Sequence, residues 1–157
     1  MGDESFRKAL RAELVELGVA PPASKQDLFV HMAEMLKRNR RIEQVPPFLE
    51  ALEHRETQGS TYMGDGLAIP HGQSSTVREP SVAYLRLAQP MAYESNGEVG
   101  DVEHAFMLAV PEGAANDHLQ ALAFLARALV DPVVRAALDA AATPEEVVAA
   151  FDAPTDV

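Results

Sequence analysis

The sequence predicts an α/β domain, a mixed β-sheet covered by helices, and three observations carry that prediction. The middle of the chain holds apolar runs of strand length, "LAI", "SVAYLRLAQP" and "HAFMLAVP". Segments with apolar residues at helical spacing stand on either side of them. At 157 residues the chain suits one domain, taken here as 1–157, and no linker or repeat divides it.

The elements are taken in chain order. "SFRKALRAELVELGV" supports two descriptions: Leu10, Leu14 and Leu17 recur at helical spacing, yet "ELVELGV" also suits a strand before the turn "APPAS". Ser24 and Asp27 form a capping box, after which Leu28, Met32, Met35 and Leu36 share one helical face. "VPPFLEALEHRE" opens with prolines suited to a first helical turn; Phe48, Leu49 and Leu52 form its stripe, and Arg55 and Glu56 lie near its end. Gly64, Asp65 and Gly66 predict a tight hairpin. The short strand "LAI" then ends at Pro70, which puts His71 at a strand edge. "SVAYLRLAQP" reads as a strand and "HAFMLAVP" as a fully buried one. "DHLQALAFLARALV" is a helix with Leu119, Leu122, Ala126 and Leu129 inward and Asn116 or Asp117 as its cap. Two short helices, opened by "DP" at 131 and the capping box "TPEE" at 143, close the chain.

Composition removes several function classes. The chain has no cysteine, which excludes disulfides, thiolate metal sites and a cysteine nucleophile. A net charge of −11 speaks against nucleic acid, which calls for clustered Lys and Arg. The one basic run, "KRNRR", suits a helix end. The first residues lack the pattern of a signal peptide, and no segment approaches the ~18 apolar residues of a membrane span. A cytoplasmic protein without membrane insertion is expected.

Five histidines need sorting. His31 and His54 lie on helices among polar neighbours and read as surface residues; His104 opens the buried strand and reads as a hydrogen-bonded histidine near the core. His71 and His118 stand where the chain changes element, the kind of place where sites are built. Gly72 leaves room for a close approach beside His71, and His118, in the first turn of its helix, is favoured neutral by the helix dipole. A zinc site from these two with Asp117 or Glu112 has no close ligand spacing to support it. A Ser–His–Asp hydrolase lacks the GxSxG turn. Phosphoryl transfer through a histidine nitrogen wants a neutral imidazole held at its far nitrogen, and a cation or donors for the phosphoryl oxygens. His71 as nucleophile, Arg55 as cation, His118 as second donor and Ser60 and Thr61 as hydroxyl donors meet that list. A turn histidine with no task remains the alternative for His71.

At these residues the sequence resembles the enzyme IIA domains of the phosphoenolpyruvate-dependent sugar phosphotransferase system, fructose/mannitol class. The resemblance rests on "HRETQGSTYMGDGLAIPHG", 54–72, and "FMLAVPEGAANDHLQALAFLARALVD", 106–131, and extends from about residue 12 to 151. It implies a three-layer helix–sheet–helix fold of the phosphotransferase/anion transport protein kind. It implies that His71 takes a phosphoryl group on Nε2, with Nδ1 oriented by a backbone carbonyl, and that Arg55 and His118 flank it with Thr61 close by. The donor would be the carrier protein HPr. The recipient would be a cysteine of an enzyme IIB domain working with an enzyme IIC permease, and no metal or cofactor takes part. Within the family a regulatory, nitrogen-related enzyme IIA is the alternative. A binding module of anion-transporter type would not require His71, Arg55 and His118 together. The chain departs from the family pattern at its start and at His104, where an apolar residue is usual.

Overall fold

A computed structural model of the chain describes residues 2–152; residue 1 and residues 153–157 of the expected domain lie outside the described residues. Its spine is a long antiparallel hairpin of β5 (Ser81–Ser95) and β6 (Glu98–Pro111). The turn between them is Asn96-Gly97, at φ 51° and 91°. Two consecutive left-handed residues make the tight turn whose twist matches the flanking strands. In this hairpin the sequence predicts strands only over "SVAYLRLAQP", 81–90, and "HAFMLAVP", 104–111. Instead the ladder resumes beyond an irregularity at Arg86 to Met91 and runs out to Ser95 opposite Glu98.

On the far side of β5 lies β1 (Val15–Val19), parallel to it. Against β6 lie β3 (Leu67–Ala68) and β4 (His71–Ser74), both parallel, and β2 (Tyr62–Gly64) pairs antiparallel with β3. The expected hairpin turn is present there, with Asp65 at φ 54° and Gly66 at φ 79°. The order β1-β5-β6-β3-β2, with β4 also on β6, is a mixed sheet.

Alternate side chains of a strand point to opposite faces, and the inner stretches of β5 and β6, residues 82–85 and 105–110, are apolar throughout and buried on both. Ala83, Leu85, Met107 and Ala109 pack with α2 (Lys25–Arg38) and α3 (Val45–Glu56). Val82, Tyr84, Phe106 and Leu108 belong to the opposite core, with α1 (Gly2–Ala9), α4 (Ala115–Leu129), α5 (Pro132–Ala140) and α6 (Pro144–Ala150). The result is three layers, helices on both faces of the sheet. Among the described residues no helix is long and apolar enough to cross a membrane.

Several local expectations hold at the level of single hydrogen bonds. Ser24 Oγ accepts from the Asp27 amide at 3.0 Å, Asp131 Oδ1 from Val133 at 2.8 Å and Thr143 Oγ1 from Glu146 at 3.2 Å. Glu146 reaches back to the Ala142 amide, one residue before the cap, at 2.7 Å. Leu28, Met32, Met35 and Leu36 are all buried.

Others are corrected. The N-terminal segment is both things it suggested, a helix and then, after a tight turn at Ala12–Leu14, a strand. The core therefore begins before residue 12: Phe6 is fully buried, its ring 5.1 Å from Phe124 and 5.0 Å from Phe151. On α4 the inward face is Phe124, Leu125, Ala128 and Leu129, with Leu122 partly buried, whereas Leu119 is 61% exposed. The helix starts earlier than expected, with Ala114 at the cap position and no side-chain cap; the side chains of Asn116 and Asp117 lie outside the described residues.

The polar intruder His104 is accommodated rather than tolerated at a cost in packing. It is 2% exposed, its Nδ1 meets the Tyr84 hydroxyl, and its Nε2 lies 2.9 Å from Asp139 Oδ1 on α5. Burial, then the Arg135 guanidinium, push its pKa down to about 4 against the opposing pull of Asp139.

Replacement of Phe6 by Ala should lower the unfolding free energy by about 3–5 kcal/mol, read as a lower urea midpoint at unchanged slope. A value near zero would place α1 outside the core. For His104 the folded pKa lies below the ordinary 6.5. The unfolded chain therefore binds more protons between those values, and stability falls as pH drops through that window. His104→Leu should flatten this part of the stability–pH curve, and an unchanged curve would show that His104 does not titrate on unfolding.

Candidate active site

His71 is placed by an interrupted strand. β3 and β4 keep one register along β6, with Ala68 opposite Ala105 and His71 opposite Leu108. Pro70 between them has no N–H to give, but its carbonyl accepts from the Leu108 amide at 3.0 Å. The strand thus resumes past the proline rather than ending there, and His71 opens its second piece.

The imidazole is held at both nitrogens. Nδ1 lies 3.0 Å from the Ile69 carbonyl, which can only accept, so Nδ1 carries the proton. Arg55 Nε, which can only donate, lies 2.9 Å from Nε2, so Nε2 presents its lone pair. The two contacts define one tautomer of a neutral ring. Burial pulls the His71 pKa down to about 4; the Ile69 bond opposes this, and Arg55 and His118 reinforce it.

Arg55 sits in the last turn of α3, and its Nη1 donates to the Gly59 carbonyl at 2.9 Å. His118 stands in the first turn of α4 with its ring 5.0 Å from that of His71. Burial and the Arg55 charge lower its pKa as well. Among the described residues the buried His118 Nδ1 has no hydrogen-bond partner.

These residues line a cleft of about 340 Å³, whose rim also includes His54, Gln58 and Gln73. A larger and mainly apolar cleft of about 640 Å³ lies between the β2–β3 hairpin and the corner of α4 and α5, away from both histidines. Among the described residues no group of three or more His, Cys, Asp or Glu is arranged to hold a metal ion.

The structure therefore gathers His71, Arg55 and His118. It does not bring Ser60 and Thr61 to the same cleft. Ser60 Oγ accepts from the Tyr62 amide at 3.1 Å, and Thr61, 2% exposed, gives its hydroxyl to Glu56 at 2.6 Å. Gly72 is also corrected: a Cβ there would lie 3.2 Å from Ala51, so its missing side chain admits α3 rather than a partner. His54 lies on the cleft rim, in an i, i+4 pair with Gln58 at 3.0 Å. Glu56 is a residue that sequence reasoning misses. Its signal is nevertheless present, for it follows Phe48 and Leu52 at intervals of four on the apolar stripe of α3, where a carboxylate is out of place.

The chain matches the family model described as "Phosphoenolpyruvate-dependent sugar phosphotransferase system, EIIA 2" over residues 8–153. A fructose-specific EIIA component of Haloferax volcanii is 32% identical over 123 residues, 78% of this chain and 79% of the relative. A 2-O-alpha-mannosyl-D-glycerate-specific EIIABC component of Escherichia coli is 32% identical over 130 residues, 82% of this chain. The chain spans 20% of that protein's length, and 17% of a fructose-specific EIIABC component of Bacillus subtilis. Among solved structures, the nitrogen regulatory protein IIA-Ntr of Neisseria meningitidis superposes with a TM-score of 0.80 at 30% identity, covering 93% of this chain and 98% of that one. With the sequence motifs, the three-layer fold and a family match across nearly its whole length in agreement, the chain belongs to the EIIA domains of the phosphoenolpyruvate-dependent sugar phosphotransferase system.

Proposed function

We propose that this phosphotransferase component carries a phosphoryl group on His71 Nε2, taking it from HPr and passing it to a cysteine of an enzyme IIB domain in sugar uptake of the fructose/mannitol class. The observation that carries the reading is the pair of opposed hydrogen bonds on one ring, from Nδ1 to Ile69 and from Arg55 to Nε2. Together they hold a neutral imidazole with its nucleophilic lone pair aimed at the cleft. A pKa near 4 keeps that lone pair free of protons at neutral pH.

In the acceptor step a bond forms between Nε2 and phosphorus as the donor's bond to phosphorus breaks. The Nδ1 proton stays in place, and its bond to Ile69 strengthens as the ring gains positive charge. The Arg55 Nε–H, released from the lone pair it covers, turns to a phosphoryl oxygen, while Nη1 keeps the guanidinium anchored to Gly59. His118, kept neutral by its lowered pKa, supplies a second donor from the other side. Positioning and charge stabilisation of this kind supply most of the catalysis in phosphoryl transfer. The net charge of −11 suits a carrier that presents a basic face. An EIIABC component among the relatives supports enzyme IIB and IIC as partners, and a fructose-specific EIIA supports the sugar class.

A second reading is favoured by the likeness to a nitrogen regulatory protein. In it the same phosphohistidine reports phosphoryl flux, and the protein acts by binding. Both readings require His71 chemistry and differ in the use made of the phosphohistidine.

Incubation with phosphoenolpyruvate, enzyme I and HPr should add one acid-labile phosphoryl group, seen by intact mass and as an Nε2-phosphohistidine signal in phosphorus NMR. His71→Ala should abolish it; no added mass on the parent protein with competent HPr overturns the reading. His118→Ala should still accept the group but hand it on to enzyme IIB at least about tenfold more slowly. Equal and complete loss of acceptance in both variants would contradict that division of roles. Arg55→Gln should slow acceptance by about 10²-fold and raise the His71 pKa, since the guanidinium charge helps hold it down. A histidine titration and rate both unchanged would remove Arg55 from the site.

A further inference from the structure

Behind Arg55 lies a buried carboxylate that the transfer chemistry does not touch. Glu56 is 8% exposed and accepts at both oxygens: Lys25 Nζ and Ser95 Oγ each donate to Oε1 at 2.6 Å, and Thr61 Oγ1 donates to Oε2 at 2.6 Å. Burial raises the Glu56 pKa, but these donors outweigh it and leave the group ionised, below its ordinary value. With its one proton committed to Glu56, Thr61 Oγ1 accepts from the Tyr93 hydroxyl at 2.7 Å. The Thr61 amide in turn donates to Ser95 Oγ at 2.9 Å. Thr61 is thus fixed by its side chain and its backbone alike.

The consequence reaches His71 by two routes. Along one, Glu56 is the chain neighbour of Arg55, and its bond to Thr61 closes the loop after α3 on itself. Inside that closed loop, Gly59 presents the carbonyl that holds Arg55 Nη1, and Arg55 Nε holds His71 Nε2. Along the other, the Thr61 carbonyl accepts from the Ile69 amide at 2.9 Å, and the Ile69 carbonyl accepts from His71 Nδ1. The two routes leave one carboxylate and end on the two nitrogens of one ring.

We propose that Glu56 and Thr61 together are positioning residues that set the tautomer and orientation of His71 from both sides. They touch neither the phosphoryl group nor the reacting nitrogen. A carboxylate on the apolar stripe of α3 is thereby explained by the geometry of the site, not by the stability of the core. The inference rests on the carrier reading for its kinetic consequence but not for its structural one.

The test is Thr61→Val, which keeps the shape and removes the hydroxyl, beside Thr61→Ser, which restores it. Nitrogen-15 NMR of the histidine rings in the unphosphorylated protein reads the tautomer of His71. Stopped-time phosphorylation by HPr reads rate and KM. In Thr61→Val the two His71 nitrogen shifts should move toward each other as the Nδ1–H form loses its exclusive hold. The maximal rate of acceptance should fall about tenfold or more, with KM for phosphorylated HPr changed by less than about twofold. Thr61→Ser should return both readouts to those of the parent. Should Thr61→Val fail to fold, Glu56→Gln, equal in shape and lacking the charge, carries the same two readouts. A folded variant with unchanged His71 shifts and rate overturns the proposal. A parent protein that takes no phosphoryl group, with shifts that do move in Thr61→Val, sinks the carrier reading alone.

Discussion

Strand β6 is the reference for everything else in the molecule. It pairs with β5 on one side and with β3 and β4 on the other, and it is buried on both faces from Ala105 to Ala109. A strand enclosed in this way has no freedom of register, since a slip of one residue would exchange its two apolar faces along with every partner. The placement of His71 opposite Leu108 inherits that rigidity, even though Pro70 interrupts the ladder just before it. A catalytic ring on a loop would need its own supports. Here the sheet supplies them, and the carbonyl of Ile69, two residues back on the same interrupted strand, becomes the partner of Nδ1.

The site balances two demands that oppose each other. A nucleophilic imidazole must stay unprotonated, which burial and a nearby cation both promote. In the proposed transfer the same cation must later be available to a phosphoryl oxygen, so it cannot be locked in a salt bridge. Arg55 meets this by bonding to neutral acceptors, the Gly59 carbonyl and the ring itself. The adjacent Glu56, the carboxylate nearest to it in sequence, is engaged instead with Lys25, Thr61 and Ser95. One pair of neighbours in sequence is therefore split between the cleft and a buried network, with the charges kept to separate partners.

Transport and regulation, the two proposed uses of the chain, would share one phosphohistidine site. The chain is similar in sequence to a sugar-specific EIIA component and shares its fold with a nitrogen regulatory IIA. What would separate the two roles is which proteins the surface meets; among the described residues Met63, Val99, Leu119, Val130 and Val133 are the large apolar side chains exposed there.

The elements legible in the sequence are those with a local cause. Caps at Ser24, Asp131 and Thr143, the Asp65-Gly66 turn, the stripe of α2 and the buried run of β6 each arise from neighbouring residues. His71, Arg55 and His118 are legible because their motifs recur as blocks in a known family. The long β5–β6 hairpin is not, although Asn96-Gly97 announces it, since charged residues on its outer half obscure the alternation. The sequence by itself determined an α/β domain and the three residues of the cleft. Only the tertiary structure decided that Thr61 faces Glu56 instead of the cleft, that Gly72 admits α3, and that the carbonyl holding His71 Nδ1 is that of Ile69. Those outcomes depend on which groups from distant segments arrive at hydrogen-bonding distance, a property of packing that no local pattern of residues encodes.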